Sequence, residues 1–190
     1  MKNDKQRIFV GLDLSGHLVN TIPMIKSTII DSKRKINWVS GRNLHLTLSF
    51  VGSIDSVELN KLKSALNDIS EYYDSFKILV NGTGAFPSFE KPRIMWLDIQ
   101  EGREELINIQ DKIEKIVTPF KQNQKSENFV PHITIGRIKD FNKNINLDLS
   151  TFSNAVYSDI EIPVKTIYLF KSQLLDTGVE YSVISKYSLK

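Results

Sequence analysis

The chain contains no cysteine. That absence removes disulfides, thiolate nucleophiles and cysteine zinc sites together, and it suits a reducing cytosol. Histidine is scarce, with 3 residues in 190, so any imidazole chemistry falls to His17, His45 or His132. No apolar run approaches the roughly 18–20 residues of a membrane span. The first apolar stretch, residues 8–12, is too short for the core of a secretory signal. A soluble, cytoplasmic protein is expected. No Gly-x-x-x-x-Gly-Lys phosphate loop and no nucleotidyl-transfer lysine motif are present, which argues against ATP-dependent ligation. Charge of one sign is lacking too. The formal net charge is +3, whereas a protein that coats nucleic acid through many phosphate contacts is usually far more basic. A local basic site is allowed; a broad nucleic-acid footprint is not.

What is present is ordinary globular material, 41% hydrophobic and 25% charged. It is long enough to bury a core as one domain or two tightly joined lobes. Residues 8–14 read as a buried strand followed by Ser15 as a helix cap. Pro23 lies inside the next helical stretch and predicts a late start or a kink. Residues 36–39 and 44–51 read as strands, 52–55 as a turn. Val57, Leu59, Leu62, Leu66 and Ile69 then form a helical apolar stripe. A strand over 76–80 ends in Asn81-Gly82 turn chemistry, and residues 86–92 read as a loop. A strand over 94–99 precedes a second amphipathic helix from Glu104 to Val117, with Leu106, Ile109, Ile113 and Ile116 inward. Residues 132–138 form another strand, 142–154 a loop, and 160–163, 165–169 and 180–187 further strands, the last two joined through Asp176-Thr177-Gly178. Strands and helices interspersed with hairpin joins indicate an α+β or mixed architecture.

Two strands carry the same pattern. His45-Leu46-Thr47-Leu48 and His132-Ile133-Thr134-Ile135 each read His, apolar, Thr, apolar. On a strand, residues two apart share a face. Imidazole and hydroxyl therefore point one way while the apolar pair anchors the other face, which mounts a reactive pair on a rigid element. One such match is weak, since a half-buried strand histidine explains it better. Two matches among three histidines, one in each half of the chain, point to a shared role. Two imidazoles at one cleft suit in-line phosphoryl chemistry: one takes a proton from water, the other gives a proton to the departing oxygen. The threonine hydroxyls can donate to non-bridging phosphate oxygens. Two histidines without carboxylates at ligand spacing make a poor metal site, so neither metal nor cofactor is expected. His17 reads as a surface residue.

These residues resemble the two-histidine (2H) phosphoesterase superfamily, in particular its bacterial and archaeal RNA 2′,3′-cyclic phosphodiesterase branch, first described as 2′–5′ RNA ligases. The specific part is Asn43-Leu44-His45-Leu46-Thr47-Leu48 and Pro131-His132-Ile133-Thr134-Ile135. Arg7 to Leu14, Phe86-Pro87-Ser88 and Leu169-Phe170-Lys171-Ser172 support it, although Gln173 stands where relatives often carry arginine. The resemblance implies a single bilobal domain over residues 1–190, with two antiparallel sheets facing a central cleft and helices outside. Its halves would be related by a pseudo-two-fold with one His-x-Thr each. It implies hydrolysis of 2′,3′-cyclic phosphate RNA ends to 2′-phosphomonoesters, with His45 as proton donor and His132 as proton acceptor. Thr47 and Thr134 would bind phosphate and Arg137 the substrate. The expected partner is an RNA end or nucleotide bearing a 2′,3′-cyclic phosphate, with no metal, no membrane and a monomeric chain. Reverse, ATP-free 2′–5′ joining is compatible with it.

Strict alternation puts Arg137 on the face opposite His132, so a bulge near Gly136 or a reach around the strand end is needed. Alternation also makes Phe50 a core residue, although Phe50 and Phe89 are both candidates to stack a base. Trp96 is expected in the core and Arg93 at the cleft. Lys33-Arg34-Lys35 reads as a solvated turn, or as a basic guide for an RNA end. Two other readings stay open: a phosphodiesterase of small cyclic nucleotides or ADP-ribose cyclic phosphate, and a non-catalytic RNA-end binding module.

Overall fold

Period-two alternation builds two antiparallel sheets, and the helices between the strands cover their apolar faces. The computed structural model describes residues 5–29, 36–121, 128–139, 147–176 and 178–190. In chain order the elements are β1 (Gln6–Asp13), α1 (Ser15–Leu18), α2 (Thr21–Ser27), β2 (Ile36–Trp38), a 3-10 turn (Gly41–Asn43), β3 (His45–Ile54), α3 (Ser56–Leu66), α4 (Ile69–Tyr72), β4 (Phe76–Phe86), β5 (Ile94–Glu101), α5 (Arg103–Val117), a second 3-10 turn (Thr118–Phe120), β6 (His132–Ile138), α6 (Ser150–Ser153), β7 (Ile160–Val164), β8 (Thr166–Leu175) and β9 (Gly178–Ser188). One sheet runs β3-β1-β8-β9 and the other β2-β6-β5-β4-β7. The α+β expectation holds. Among the described residues no helix is long and apolar enough to cross a membrane.

Local chemistry accounts for the element boundaries. Asp55 caps α3: its carboxylate accepts from the Val57 and Glu58 amides, and the Glu58 carboxylate accepts from the Asp55 amide, a capping box. The apolar stripe runs on through Leu59, Leu62 and Leu66 into Ile69 of α4, but Val57 is 61% exposed, because it sits in the first turn where the helix leaves the sheet. Ser15 begins α1 rather than capping it; the Asp13 carboxylate accepts from the Ser15 amide and hydroxyl. Pro23 falls in the first turn of α2, where a missing amide costs nothing. Glycine at 102, with φ +78, opens α5. Leu106, Ile109, Ile113 and Val117 are its buried apolar residues.

Several expected turns are strand irregularities instead. Asn81-Gly82 does not reverse the chain; β4 runs through it with a register shift between Val80 and Thr83, and Gly82 takes φ +82. Residues 52–54 likewise continue β3. The stretch expected as loop over 142–154 contains α6, anchored by the fully buried Phe152; residues 140–146, Lys33-Arg34-Lys35 and Thr177 lie outside the described residues.

Both His-x-Thr strands carry a bulge. On β3, Ser49 pairs with Val10 and Thr47 with Gly11, so Leu48 is an extra residue. On β6, Gly136 pairs with Met95 and Thr134 with Trp96, so Ile135 is an extra residue. Each lies three positions after a His-x-Thr histidine. The side chains Leu46, Leu48, Ile133 and Ile135 are all 2% exposed or less and join one contiguous core with Ile8, Val10 and Leu97.

Candidate active site

Burying the apolar partners of both His-x-Thr strands turns their polar members into one cleft. It has a volume of about 550 Å³ and is lined by His45, Thr47 and Phe50 from β3, by His132, Thr134 and Arg137 from β6, and by Phe86 and Arg93. All five expected site residues, His45, His132, Thr47, Thr134 and Arg137, therefore share one cavity.

Both imidazoles are held in the same way. His45 Nδ1 lies 2.6 Å from the carbonyl oxygen of Asn43, and His132 Nδ1 lies 2.7 Å from that of Val130. A carbonyl only accepts, so Nδ1 carries the hydrogen in each ring and Nε2 is the nitrogen left for the cleft. The Asn43 side chain donates to the Val179 carbonyl at 2.7 Å, which ties this carbonyl's residue to the C-terminal hairpin. Rings pack around each imidazole: Phe9 at 5.1 Å and Tyr181 at 4.8 Å for His45, Phe86 at 5.0 Å and Trp96 at 6.0 Å for His132. An aspartate stands opposite each histidine in the ladder, Asp13 across from His45 and Asp98 across from His132.

The electrostatics favour neutral rings. Burial pushes His45 below its ordinary value of 6.5; Arg137 and His132 push the same way, while the Asn43 carbonyl and Asp13 oppose. Burial also lowers His132, with the Val130 carbonyl opposing and Arg137 assisting. A bound phosphate anion acts in the other direction on both. Neither threonine hydroxyl has a hydrogen-bond partner among the described residues, so both remain for a ligand in the cleft. Among the described residues no three histidine, aspartate or glutamate side chains gather as a metal site would.

The bulges settle which residues face the cleft. The extra residue at Ile135 reverses the alternation and brings Arg137 to the His132 side, as the bulge expectation required. The matching bulge at Leu48 overturns the placement of Phe50 in the core: Phe50 is 48% exposed and walls the cleft, and Ser49 takes the buried face. Trp96 is also displaced from the expected core. It pairs with Thr134, shares its face, and is half-buried between Phe86 and His132. Arg93 lines the cleft as expected. Phe89 packs against Phe152 and lies apart from this cleft; His17 is exposed.

One contributor went unnoticed in the sequence. Gln110 occupies the inward face of α5, 9% exposed, among residues that are otherwise apolar. It lines a second chamber of about 500 Å³ that shares Thr47, Phe50 and His132 with the first. The signal was available: a polar side chain at an inward position of the stripe Leu106, Ile109, Ile113.

Known proteins resemble this chain over nearly its whole length. The chain is 31% identical over 189 residues to the RNA 2′,3′-cyclic phosphodiesterase of Aquifex aeolicus, covering 96% of this chain and 97% of that protein. It is 27% identical over 178 residues to the enzyme of the same name from Thermotoga maritima, covering 94% and 92%. Its fold matches that of E. coli LigT complexed with 3′-AMP at a TM-score of 0.80 and 19% identity, covering 98% and 99% of the two chains. TT0787 of Thermus thermophilus matches at 0.78 and 23%, covering 96% and 97%. The family model of the 2′–5′ RNA ligase superfamily matches residues 30–173, and with these relatives it establishes that the chain belongs to that superfamily, the 2H phosphoesterases.

Proposed function

We propose that this chain is an RNA 2′,3′-cyclic phosphodiesterase that opens the cyclic phosphate to a 2′-phosphomonoester by histidine acid–base catalysis without a metal. The observation that carries the reading is the shared mounting of the two imidazoles. Each has Nδ1 spent on a carbonyl two residues back and Nε2 left for one cleft. The relatives' names supply the substrate class.

In this reading His132 Nε2 takes a proton from the attacking water, and protonated His45 Nε2 gives one to the departing 3′ oxygen. Asp13 supports the second role: it is the anion among the groups acting on His45, and it favours the charged ring. Thr47 and Thr134 donate to the non-bridging oxygens, and Arg137 balances the charge that gathers there. Substrate binding raises both imidazoles toward neutrality, so one charged and one neutral ring coexist in the complex. With a 5′-hydroxyl in place of the attacking water, the same groups would open the cyclic phosphate to a 2′–5′ diester without ATP. We read the two lobes as pseudo-two-fold-related halves of one domain, because each brings a His-x-Thr strand, a bulge at the same offset and an aspartate opposite the histidine.

The test is product analysis. The purified protein, dialysed against EDTA, is incubated with a short RNA ending in a 2′,3′-cyclic phosphate, alongside H45A and H132A. A 2′-phosphate is expected, with each variant slowed on the order of 10²–10⁴-fold. A 3′-phosphate, loss of activity in EDTA, or near-normal turnover by either variant refutes the reading.

A further inference from the structure

The two halves mount their histidines alike but treat the facing aspartates differently. Asp13 stands across from His45 and Asp98 across from His132. Residues directly opposed in an antiparallel pair share a face, with Cβ atoms about 4.5–5.5 Å apart, so each carboxylate starts out beside an imidazole. Among the described residues the Asp13 carboxylate accepts only from Ser15, through its amide at 3.0 Å and its hydroxyl at 2.7 Å, and it has no ion-pair partner. Asp98 is fully engaged. One oxygen accepts from Arg103 Nη1 at 2.7 Å and from the Ile99 amide at 2.8 Å, and the other accepts from the Gln100 side chain at 3.0 Å. His132 is not among its partners; that ring's Nδ1 is on the Val130 carbonyl.

Arg103 is itself fixed. It is the first residue of α5, and the same Nη1 also donates to the Ile99 carbonyl at 2.6 Å. The ion pair therefore sits where β5 passes into α5, and its two charges largely cancel at the distance of the imidazole. The other charged groups around His132 are Arg137 on its own strand and Arg93 and His45 across the cleft. Glu114 and Lys121, on and just after α5, line the adjoining chamber and are paired with each other. Tyr157, near Asp98, spends its hydroxyl on the Gly82 carbonyl. His45 faces Asp13, Arg137 and His132, with the Tyr181 ring against it. Arg137 bears on both rings, so the aspartates are where the halves differ. Asp13 is among the groups that favour a charged His45, whereas burial, the Val130 carbonyl and Arg137 are what act on His132.

We infer that Arg103 is a positioning residue for the reaction: by holding and neutralising the Asp98 carboxylate it leaves His132 without a facing anion, while Asp13 remains opposite His45. An unneutralised carboxylate beside His132 would favour its charged form, and a charged ring cannot take a proton from the attacking water. Arg103 touches no substrate and acts only through Asp98. The inference rests on the phosphodiesterase reading for why a neutral His132 matters, but the charge relation between Arg103, Asp98 and His132 can be read without turnover.

The experiment is an NMR titration of the imidazoles in the full chain, assigned with H17Q, H45Q and H132Q, for the wild type, R103Q, R103K and R103Q/D98N. In R103Q, His132 is expected to titrate at higher pH than in the wild type, while the exposed His17 stays put. R103K keeps the cation and is expected to keep the wild-type titration; R103Q/D98N removes the uncovered anion and is expected to restore it. Hydrolysis of a cyclic-phosphate RNA should follow the same order, with the ratio of kcat/KM at pH 6 to that at pH 8 falling about two- to fivefold in R103Q and recovering in R103Q/D98N. A merely structural role would lower kcat/KM alike at both pH values and would not be rescued by Asp98→Asn. An unmoved or lowered His132 in R103Q, or a double variant that stays shifted, overturns the inference. If R103Q does not fold, Asp13→Asn decides: His45 titrating lower with His132 unmoved sustains the asymmetry, and an unmoved His45 overturns it. If the wild type does not turn over the RNA, the phosphodiesterase reading fails, and the titrations alone decide the part played by Arg103.

Discussion

Gly11→Ala should disable the site from a residue that touches no substrate. Gly11 lies on β1 directly across from Thr47. A Cβ placed there would come within 2.5 Å of the Leu46 carbonyl oxygen, with the Leu46 carbonyl carbon and Thr47 Cα each at 3.4 Å. All three are backbone atoms, so no rotamer change relieves the clash. Reaching even the 3.4 Å lower edge of ordinary contact requires β3 to withdraw by about 0.9 Å. The displaced stretch is the one that carries His45 and Thr47. Overpacking of this kind costs about 1–3 kcal/mol, inside a typical total of about 5–15 kcal/mol, so the variant stays folded. A misplacement of about 1 Å at a reacting group costs on the order of 100-fold in rate. Urea unfolding paired with single-turnover hydrolysis of a cyclic-phosphate RNA measures both. Gly16→Ala is the control, since its Cβ meets nothing within 4 Å; it should keep wild-type turnover. A Gly11→Ala protein with wild-type kcat and an unchanged urea midpoint would refute the claim that the spacing of β1 and β3 sets the His45–Thr47 geometry.

Arg137→Gln removes a cation that lowers both imidazoles, so besides slowing turnover it should move the pH profile of kcat/KM toward higher pH; an unmoved or acid-shifted profile contradicts the electrostatic reading. Stability should fall with acidification. Both rings sit below their ordinary 6.5 in the folded chain, so between the folded value and 6.5 the unfolded chain binds more protons and stability rises with pH. That contribution is complete above the unfolded value and is lost as pH falls through the folded one. Urea midpoints measured from pH 7.5 to pH 5 should therefore drop less steeply in the H45Q/H132Q double variant, and parallel slopes would count against it. Asp55→Ala deletes the α3 cap and should cost about 0.5–2 kcal/mol by urea unfolding while leaving kcat/KM intact; a loss of activity would show that α3 is coupled to the cleft.

Much of the fold is legible in the sequence because most elements follow a single period. β6 can be read over its full span, and the inward face of α5 through Leu106, Ile109 and Ile113. What escapes are the places where a local signal has two outcomes. Asn81-Gly82 supplies a left-handed residue, which a hairpin turn and a strand bulge both require. The flanking ladder with β5 and β7 decides for the bulge, and those partners are far away in sequence. Trp96 shows the same limit: its size argues for burial, but its partner across the ladder is Thr134, so it is buried under the cleft rather than in the core.

The site itself is legible at the histidines and threonines and illegible beyond them, for one reason. Alternation is reliable only until a strand gains a residue, and both His-x-Thr strands gain one at the third position after the histidine, Leu48 and Ile135. Each extra residue is apolar and fully buried, so in sequence it looks like an ordinary inward position. Its effect is to return the fifth residue, Phe50 in one strand and Arg137 in the other, to the face that carries the imidazole. Reading Arg137 into the site while assigning Phe50 to the core is therefore inconsistent: if one strand needs a bulge, the matching pattern in the other calls for the same treatment. The two offsets being equal makes Phe50 the counterpart of Arg137, one aromatic and one cationic wall of the same cleft, and this equivalence follows from backbone register alone.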